Sequence, residues 1–401
     1  MSKLTYRATV AACFVGYAVQ AIVINFLPLL FVTMERDYGF SVGQITSLIT
    51  VNFLLQLFTD LTSPLYVDRL GYRRSVLLAH ISAAAGLLLL PVLPEVMPPY
   101  AGVVCAVLLL ALGGGLIEVL INPIVESGPG ENKEKAISLL HSFYCWGHMG
   151  VVLLSTLFFT LFGIGNWKIM SILWALVPAV NAVVFTKTPI SVPPRTDSVG
   201  GTVKTLLHTP VFYILLLMML AAGAAEQTVS QWASAFAEQG LGVSKTVGDL
   251  TGTMLFAALM GVTRALYGKK GDKLRLESAM AGGAAMCIAA YLTIGLSSSA
   301  RLGLLGFAVC GLGVGIFWPG SISLAAARIR NGGTAMYALL ALAGDLGCTL
   351  GPTLAGAVGA KTDLQTGILS GIVFPVLLLA GLAGMRKVKK SKKDTKLQSY
   401  K

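Results

Sequence analysis

The chain has 401 residues, of which 55% are apolar and only 12% are Asp, Glu, Lys or Arg. A soluble globular domain carries about 25% charged residues, so this composition excludes a soluble enzyme of two or three domains. The mean hydropathy of +0.77 also excludes a disordered chain, because disorder requires low hydropathy. A helical membrane protein with many spans remains.

Twelve apolar segments follow one another, each close to the roughly 20 residues that a membrane-spanning helix requires. The predicted spans are 8–33, 45–67, 75–93, 100–125, 136–162, 167–186, 210–236, 247–267, 277–297, 302–326, 334–358 and 365–385. We therefore predict an all-α membrane protein with twelve transmembrane helices in two pseudo-symmetric six-helix bundles. The predicted parts are a bundle at 1–186, a polar cytoplasmic linker at 187–209, a second bundle at 210–385 and a basic tail at 386–401.

The net charge of +12 is concentrated in loops and in the last 16 residues, which hold eight of the 30 Lys and Arg. No soluble segment shows a basic face with interleaved aromatic residues, so we expect no nucleic-acid partner. Placing both termini on one side of the bilayer collects 24 basic residues there and five on the other side. Because basic loops stay in the cytoplasm, we predict cytoplasmic termini. The short loops and the lack of an N-x-S/T sequon are typical of a bacterial inner membrane.

Glycine patterns recur between the two halves at a nearly constant offset. Gly113-Gly-Gly115 matches Gly313-Val-Gly315, and Gly147-His-Met-Gly150 matches Gly344-Asp-Leu-Gly347. Offsets of 200 and 197 residues in the same order indicate an internal duplication. Parallel six-helix repeats with a binding site between them describe one transporter architecture.

The six cysteines all lie within apolar segments and form no CxxC pair. They are typical of small buried hydrophobic residues, so we expect no disulfide, no metal site and no cofactor. The sequence also lacks a Walker loop, a GxSxG elbow and an HExxH motif. We therefore expect that this chain is not an enzyme and does not by itself form an ATP-driven pump.

The segment Asp68-Arg69-Leu-Gly71-Tyr-Arg73-Arg74 follows the second predicted span. It resembles the loop signature D-R-x-G-x-R-R of the major facilitator superfamily, which lies between the second and third of twelve helices. The resemblance implies a contact at the cytoplasmic mouth that joins the two halves and breaks during transport. The residues that we assign to this cytoplasmic gate are Asp60, Asp68, Arg69, Arg73, Arg74, Arg264 and Asp272.

Three further segments narrow the resemblance. Gly113 to Pro123, Ser138 to Gly147 and Ala225 to Trp232 resemble the fourth, fifth and seventh helices of the fucose/galactose/glucose:proton symporters. This resemblance implies sugar transport coupled to a cation, with Glu118 as the protonatable site and neighbouring polar residues on the sugar. The first helix departs from that family, because it carries Gln20 and no acidic residue.

A charge at the centre of a bilayer costs about 2.5–3.5 kcal/mol on insertion scales, so each ionisable residue within a span requires a partner, a wet cavity or a neutral form. We identify seven such residues: Asp60, Glu118, His141, His148, Glu226, Arg264 and Asp345. Glu118 is the preferred proton-coupling residue, because Asn122 lies one turn away on the same face and the nearby glycines allow close helix approach. A structural carboxylate between helices is the alternative.

The other ionisable residues also have two interpretations each. His141 either binds substrate and shares a proton with Glu118, or is a neutral histidine bonded to backbone, whereas the GxxG setting of His148 favours packing. Asp345 is a candidate for coupling. Asp60 and Arg264 occupy corresponding positions in the two repeats, which favours gate pairs or local ion pairs near the cytoplasmic ends.

A carboxylate, an amide and an indole suit a sugar, because hydroxyl groups bind polar atoms and the C–H face stacks on aromatic rings. The predicted substrate-binding set is Gln20, Asn25, Asn52, Gln56, Glu118, Asn122, His141, Glu226, Gln227, Trp232 and Trp318. Trp232 is equally consistent with a position in the interfacial aromatic belt.

We therefore predict a secondary active transporter, a proton-coupled symporter of a sugar or similar neutral polar solute that works by alternating access. A proton is expected as the coupling ion rather than sodium, and the chain is expected to be a monomer in the lipid bilayer. The alternatives are a drug or amphiphile:proton antiporter of the same fold and a non-transporting membrane sensor.

Overall fold

The computed structural model describes residues 3–128, 133–191, 199–270, 275–329 and 333–398, and every regular element within these ranges is helical. The long helices of the first half are α1 (Lys3–Asn25), α2 (Val42–Leu70), α3 (Tyr72–Leu89), α4 (Pro99–Glu126), α5 (Lys133–Phe162) and α6 (Trp167–Lys187). Those of the second half are α7 (Pro210–Gln239), α8 (Leu255–Lys270), α9 (Leu276–Leu296), α10 (Ala300–Val314), α11 (Gly333–Gly359) and α12 (Val373–Gln398).

Eleven of the described helical segments are long and apolar enough to cross a membrane, and they coincide with eleven of the twelve predicted spans. The remaining predicted span, 75–93, is occupied by α3, whose first turn carries Arg73 and Arg74. These two charges reduce the mean hydropathy of a helix that is otherwise apolar. The prediction of an all-α membrane protein with a twelve-helix arrangement is confirmed.

Several spans that the sequence shows as continuous are interrupted in the structure. A 3-10 turn at Leu27–Leu30 follows α1 and contains Pro28, which lacks an N–H to donate within a helix. The π-helical turn Asp249–Met254 precedes α8, and a separate helix, Phe317–Arg328, follows α10. Each interruption lies within a span that the sequence predicts as continuous.

The first pair of repeated glycines makes equivalent helix contacts in the two halves. A Cβ atom on Gly113 of α4 would lie 2.8 Å from the carbonyl oxygen of Ala79 in α3, and one on Gly313 of α10 would lie 2.6 Å from that of Gly283 in α9. The α3–α4 and α9–α10 pairs therefore pack closely at matching positions.

The second glycine pattern does not make equivalent contacts. Gly147 of α5 packs against Ala18 of α1, whereas its counterpart Gly344 of α11 faces the ring of Trp318. An added Cβ atom on Gly150 would meet nothing within 4 Å, whereas one on its counterpart Gly347 would meet the backbone of Leu220 in α7.

The segment predicted as a linker, 187–209, contains a short helix, Val199–Leu207, and its residues 192–198 lie outside the described part. The final helix α12 continues to Gln398 and so includes most of the predicted basic tail. We call the end of the bundle at which α1 begins and α2 ends the inner end. The opposite end, at which α2 begins, is the outer end.

Candidate functional site

A cavity lies between the two halves, with about 680 Å³ of empty space that is partly open to solvent. Its lining comes from α1, α2, α4 and α5 of the first half and from α7, α8, α11 and the helix after α10 in the second. The lining residues are Tyr17, Gln20, Ile24, Phe53, Gln56, Glu118, Tyr144, Glu226, Gln227, Arg264, Trp318, Asp345 and Cys348. Most of its polar members belong to the predicted site, and the position between the halves is where this architecture holds its ligand.

Glu118 of α4 lines the cavity and accepts a hydrogen bond from one amide group. Gln20 Nε2 donates a hydrogen bond to Glu118 Oε2 at 2.5 Å, which joins α1 to α4. One turn along α4, Asn122 Oδ1 accepts a hydrogen bond from the Tyr17 hydroxyl at 3.1 Å. Two predicted residues, Gln20 and Asn122, therefore contribute to the position of Glu118 through hydrogen bonds between α1 and α4.

Three carboxyl groups from different helices converge beside the cavity. One oxygen each of Asp60 in α2, Glu118 in α4 and Asp345 in α11 lie within 4.8 Å of one another. Asp60 and Asp345 are close enough for one carboxyl group to donate a hydrogen bond to the other. Unit charges about 4 Å apart repel by about 4 kcal/mol at an effective dielectric constant of about 20, so this cluster requires protons or a bound cation.

Arg264 of α8 pairs within its own half. Its NH2 group lies 2.7 Å from Glu226 Oε2 of α7, and the two side chains are 12% and 9% exposed. Of the two readings of Arg264 from the sequence, the local ion pair is therefore the one found, and Asp60 instead lies beside Asp345. Arg264 Nε has no partner among the described residues, and Arg264 and Glu226 both line the cavity.

Buried amides supply hydrogen-bonding groups to the same cavity. Gln227 Oε1 accepts a hydrogen bond from Gln231 Nε2 at 3.1 Å, whereas Gln20 Oε1 and Gln56 Nε2 have no partner within the described ranges. Buried polar atoms are usually hydrogen bonded, so these two atoms are available to a bound molecule.

Two predicted asparagines lie outside the main cavity. Asn25 is 2% exposed and joins the halves, since its Nδ2 donates to the Tyr144 hydroxyl at 3.3 Å and its Oδ1 accepts from Ser230 Oγ at 3.2 Å. Asn52 lines a second, smaller cavity of about 280 Å³ that also contacts Gln231.

The two tryptophans of the predicted site have different surroundings. Trp318 lines the cavity from the first turn of the helix that follows α10. Trp232 is 1% exposed, donates a hydrogen bond from Nε1 to the Pro352 carbonyl at 3.0 Å and packs against Phe31 of the other half. The structure thus buries Trp232 in the contact between the halves rather than in the cavity.

The remaining predicted residues are dispersed. His148 is 1% exposed and lies beside Tyr144, with its ring 6.4 Å away. Arg73 donates hydrogen bonds to the carbonyl oxygens of Phe185, Thr186 and Thr188, so it caps the end of α6. Arg69 and Arg74 are exposed. Asp272 and the side chains of Asp68 and His141 lie outside the described part of the chain.

A polar network at the outer end was not recognised in the sequence. Asp249 is fully buried and accepts hydrogen bonds from Ser234 at 2.6 Å and from Thr156 of α5 at 3.1 Å. Lys245 Nζ lies 3.1 Å from Asp249 Oδ2 and donates to the Leu29 carbonyl at 2.5 Å. Because Asp249 stands at the start of the eighth predicted span, it was not counted among the buried charges. The position of Asp249 inside that span could have identified it as a buried charge.

Further contacts close the outer end. The hydroxyl oxygens of Thr50 in α2 and Thr353 in α11 are 2.7 Å apart, and those of Thr160 in α5 and Thr246 are 3.0 Å apart. Gln239 at the end of α7 also hydrogen bonds to Glu35. These pairs all join the two halves, so the cavity is separated from the outer end.

Two six-helix halves around a central polar cavity define a membrane transporter rather than an enzyme. Residues 13–352 match the sequence profile of the Major Facilitator Superfamily, so the chain belongs to that superfamily, as its loop signature predicted. A search of curated protein sequences finds no significant match.

Solved transporters share the fold at 14% sequence identity. A bacterial homologue of the human lysosomal transporter Spinster, inward-facing and unoccupied, matches with a TM-score of 0.76 over 95% of this chain and 97% of that one. The nucleoside transporter NupG gives a TM-score of 0.73 over 96% and 99% of the two chains. The fucose:proton symporter FucP of E. coli, as a single-site variant, gives 0.66 over 94% and 98%. At this identity the similarity establishes the fold alone.

Proposed function

We propose that this transporter is a proton-coupled symporter that imports a neutral polar solute, such as a sugar, by alternating access. The observation that carries the proposal is the position of Glu118 in the central cavity, hydrogen bonded to Gln20 and close to amide atoms that lack protein partners among the described residues. A protonatable group beside the solute site allows one binding event to depend on the other.

The cavity offers suitable groups for a polyhydroxylated molecule. Gln56 Nε2 would donate to a solute hydroxyl, because this atom has no protein partner among the described residues. Trp318 supplies an aromatic face for the C–H side of a sugar ring. A nucleoside combines a sugar with a base that can stack on an aromatic ring, so it could bind the same groups. Nucleosides are therefore included in the transport assay below.

Alternating access would use the two ends of the bundle in turn. The Thr50–Thr353 and Thr156–Asp249 contacts join the two halves at the outer end and would have to break for a solute to enter from that side. The basic loops of the inner end favour a cytoplasmic location, so the closed outer end corresponds to a state that releases solute inward.

One observation favours a second candidate, export of organic cations. The cavity combines several carboxyl groups with the apolar and aromatic side chains of Ile24, Phe53 and Tyr144. Such a lining would attract a lipophilic cation through charge and through aromatic faces.

Counterflow in proteoliposomes tests both candidates. Purified protein would be reconstituted and offered radiolabelled hexoses, pentoses, nucleosides and lipophilic cations, with and without an imposed pH gradient. The proposal expects exchange of at least one neutral solute, and accumulation of that solute when the outside is acidic. Exchange of lipophilic cations alone would favour the export function over symport of a neutral solute. If no solute is exchanged, both candidate functions are contradicted.

A further inference from the structure

The geometry of the three carboxyl groups fits a metal ion. Three oxygens that lie within 4.8 Å of one another have a common centre no farther than about 2.8 Å from each, which is 4.8 Å divided by the square root of three. Calcium takes oxygen ligands at about 2.3–2.6 Å, so small side-chain rotations would bring all three oxygens into range. Magnesium needs about 2.0–2.1 Å and fits less well.

A fourth oxygen belongs to a side chain that hydrogen bonds to this cluster. Gln20 is 4% exposed, and its Nε2 is fixed 2.5 Å from Glu118 Oε2. Oε1 belongs to the same amide group, so a small rotation of the side chain would bring it toward the Glu118 carboxyl group. Oε1 has no hydrogen-bond donor among the described residues. A buried carbonyl oxygen without a donor next to three carboxyl groups is a neutral ligand for a hard cation.

The charges around the cluster leave a deficit of positive charge. Arg264 is the one lysine or arginine among the described lining residues, and its guanidinium is already paired with Glu226. The other titratable groups of the lining are Tyr17, Tyr144 and Cys348, which are neutral in their ordinary forms. Asp60, Glu118 and Asp345 therefore lack a described cationic partner.

We propose that Asp60, Glu118, Asp345 and the Gln20 carbonyl oxygen form a binding site for a hard cation of the size of Na⁺ or Ca²⁺. The ligands come from four helices, three in the first half and one in the second, so the sequence shows no metal-binding pattern. A cation at this position draws α11 toward α2 and α4, so its binding stabilises the arrangement in which these helices meet. Its role as a coupling ion rests on the proposed transport function, whereas binding itself does not.

Thermal unfolding of the purified full-length protein in detergent, without solute, tests the site. NaCl and CaCl2 would be titrated separately at pH 7.5, each against choline chloride at equal ionic strength. We expect a saturable rise in unfolding temperature with Na⁺, with Ca²⁺ or with both, and none with choline. Because protons compete for the same carboxylates, the apparent dissociation constant should rise as the pH is lowered. No saturable rise with either cation would overturn the proposal.

Matched variants locate the site. Asp60→Asn and Asp345→Asn should each lower the affinity for the cation by about tenfold or more, since the charge of the ligands sets this affinity. The control is Asp37→Asn, at a carboxylate near the outer end and away from the cavity, which should leave the affinity unchanged. If either variant misfolds, equilibrium binding of radioactive Na⁺ or Ca²⁺ to the wild-type chain tests the site. We expect one bound ion per chain, and no bound ion would contradict the proposal. If the wild-type chain binds neither cation but still accumulates solute in response to a pH gradient, this site is excluded and the proposed function stands.

Discussion

The hydroxyl oxygens of Thr50 in α2 and Thr353 in α11 lie 2.7 Å apart, and the two residues belong to opposite halves of the transporter. This contact is at the outer end, above the cavity that holds Glu118 and Asp345. Rocking of one half against the other must separate the two threonines before the cavity can open outward.

A disulfide at this contact should arrest transport. In the double variant Thr50→Cys/Thr353→Cys, oxidation would join the halves, because the two side chains are within the short reach that a disulfide requires. Solute uptake should fall to background after mild oxidation and return after reduction. The single variants serve as controls for the six native cysteines, of which Cys105 is exposed. Full uptake by the oxidised, cross-linked protein would show that the outer end does not need to open here.

Glu118→Gln should separate coupling from exchange. The substitution keeps the shape of the side chain and the contact with Gln20 but removes the exchangeable proton, so pH-driven accumulation should be lost while counterflow is retained. Uptake into proteoliposomes with and without a pH gradient measures both activities. Glu95→Gln, which changes an exposed carboxylate paired with Lys168, should behave as the wild type. Normal accumulation by Glu118→Gln would exclude Glu118 as the coupling residue.

The Glu226–Arg264 pair should show strong coupling in a double-mutant cycle. Removing one member of a buried ion pair leaves an uncompensated charge, which costs about 3–5 kcal/mol. Arg264→Met and Glu226→Gln should therefore each destabilise the protein, and the double variant should be less destabilised than the sum of the two. Denaturant or thermal unfolding in detergent gives the comparison.

The Arg328–Glu277 pair provides the control for that cycle. Its atoms are 2.6 Å apart, but the two side chains are 23% and 26% exposed, so solvent screens the interaction more. Its coupling free energy should be below about 1 kcal/mol. Strictly additive effects at Glu226 and Arg264 would contradict the idea that the buried pair acts as a unit.

Asp363 should make a pH-dependent contribution to stability at the outer end. Its carboxyl group accepts hydrogen bonds from the backbone N–H of Thr366 at 2.8 Å and from the Thr366 hydroxyl at 2.9 Å, and these bonds lower its pKa below the ordinary 3.8. A lowered pKa in the folded state means that the stabilisation is present above about pH 4 and is lost as the pH falls through the folded value.

Two substitutions distinguish the cap from the charge at Asp363. Asp363→Ala removes the helix cap and should cost about 1 kcal/mol at pH 7. Asp363→Asn keeps a good capping group without a titratable proton, so its unfolding temperature should vary less between pH 7 and pH 3 than that of the wild type. Equal pH dependence in the wild type and Asp363→Asn would exclude the carboxylate as the source.

The hydrophobic pattern was sufficient to predict the helices, because a bilayer requires long apolar segments with internally bonded backbones. The same reasoning identified Glu118, since an acid in an apolar span needs a special environment. It did not identify Lys245 and Asp249, which lie at the edge of a predicted span where a charge is ordinary. The π-helical turn that buries Asp249 depends on packing against α5 and α7 and leaves no pattern in the sequence.

The sequence by itself determined that this protein is a membrane-embedded, duplicated helical protein with an acidic residue in its fourth span, because composition and periodicity are local properties of the chain. Only the tertiary structure decided that Arg264 pairs with Glu226, that Trp232 is buried away from the cavity, and that Asp60 meets Asp345 across the two halves. Such partners are set by how helices cross and rotate against one another. The shortage of charge in the composition therefore located the chain in the membrane, and the packing of the helices brought its few internal charges together.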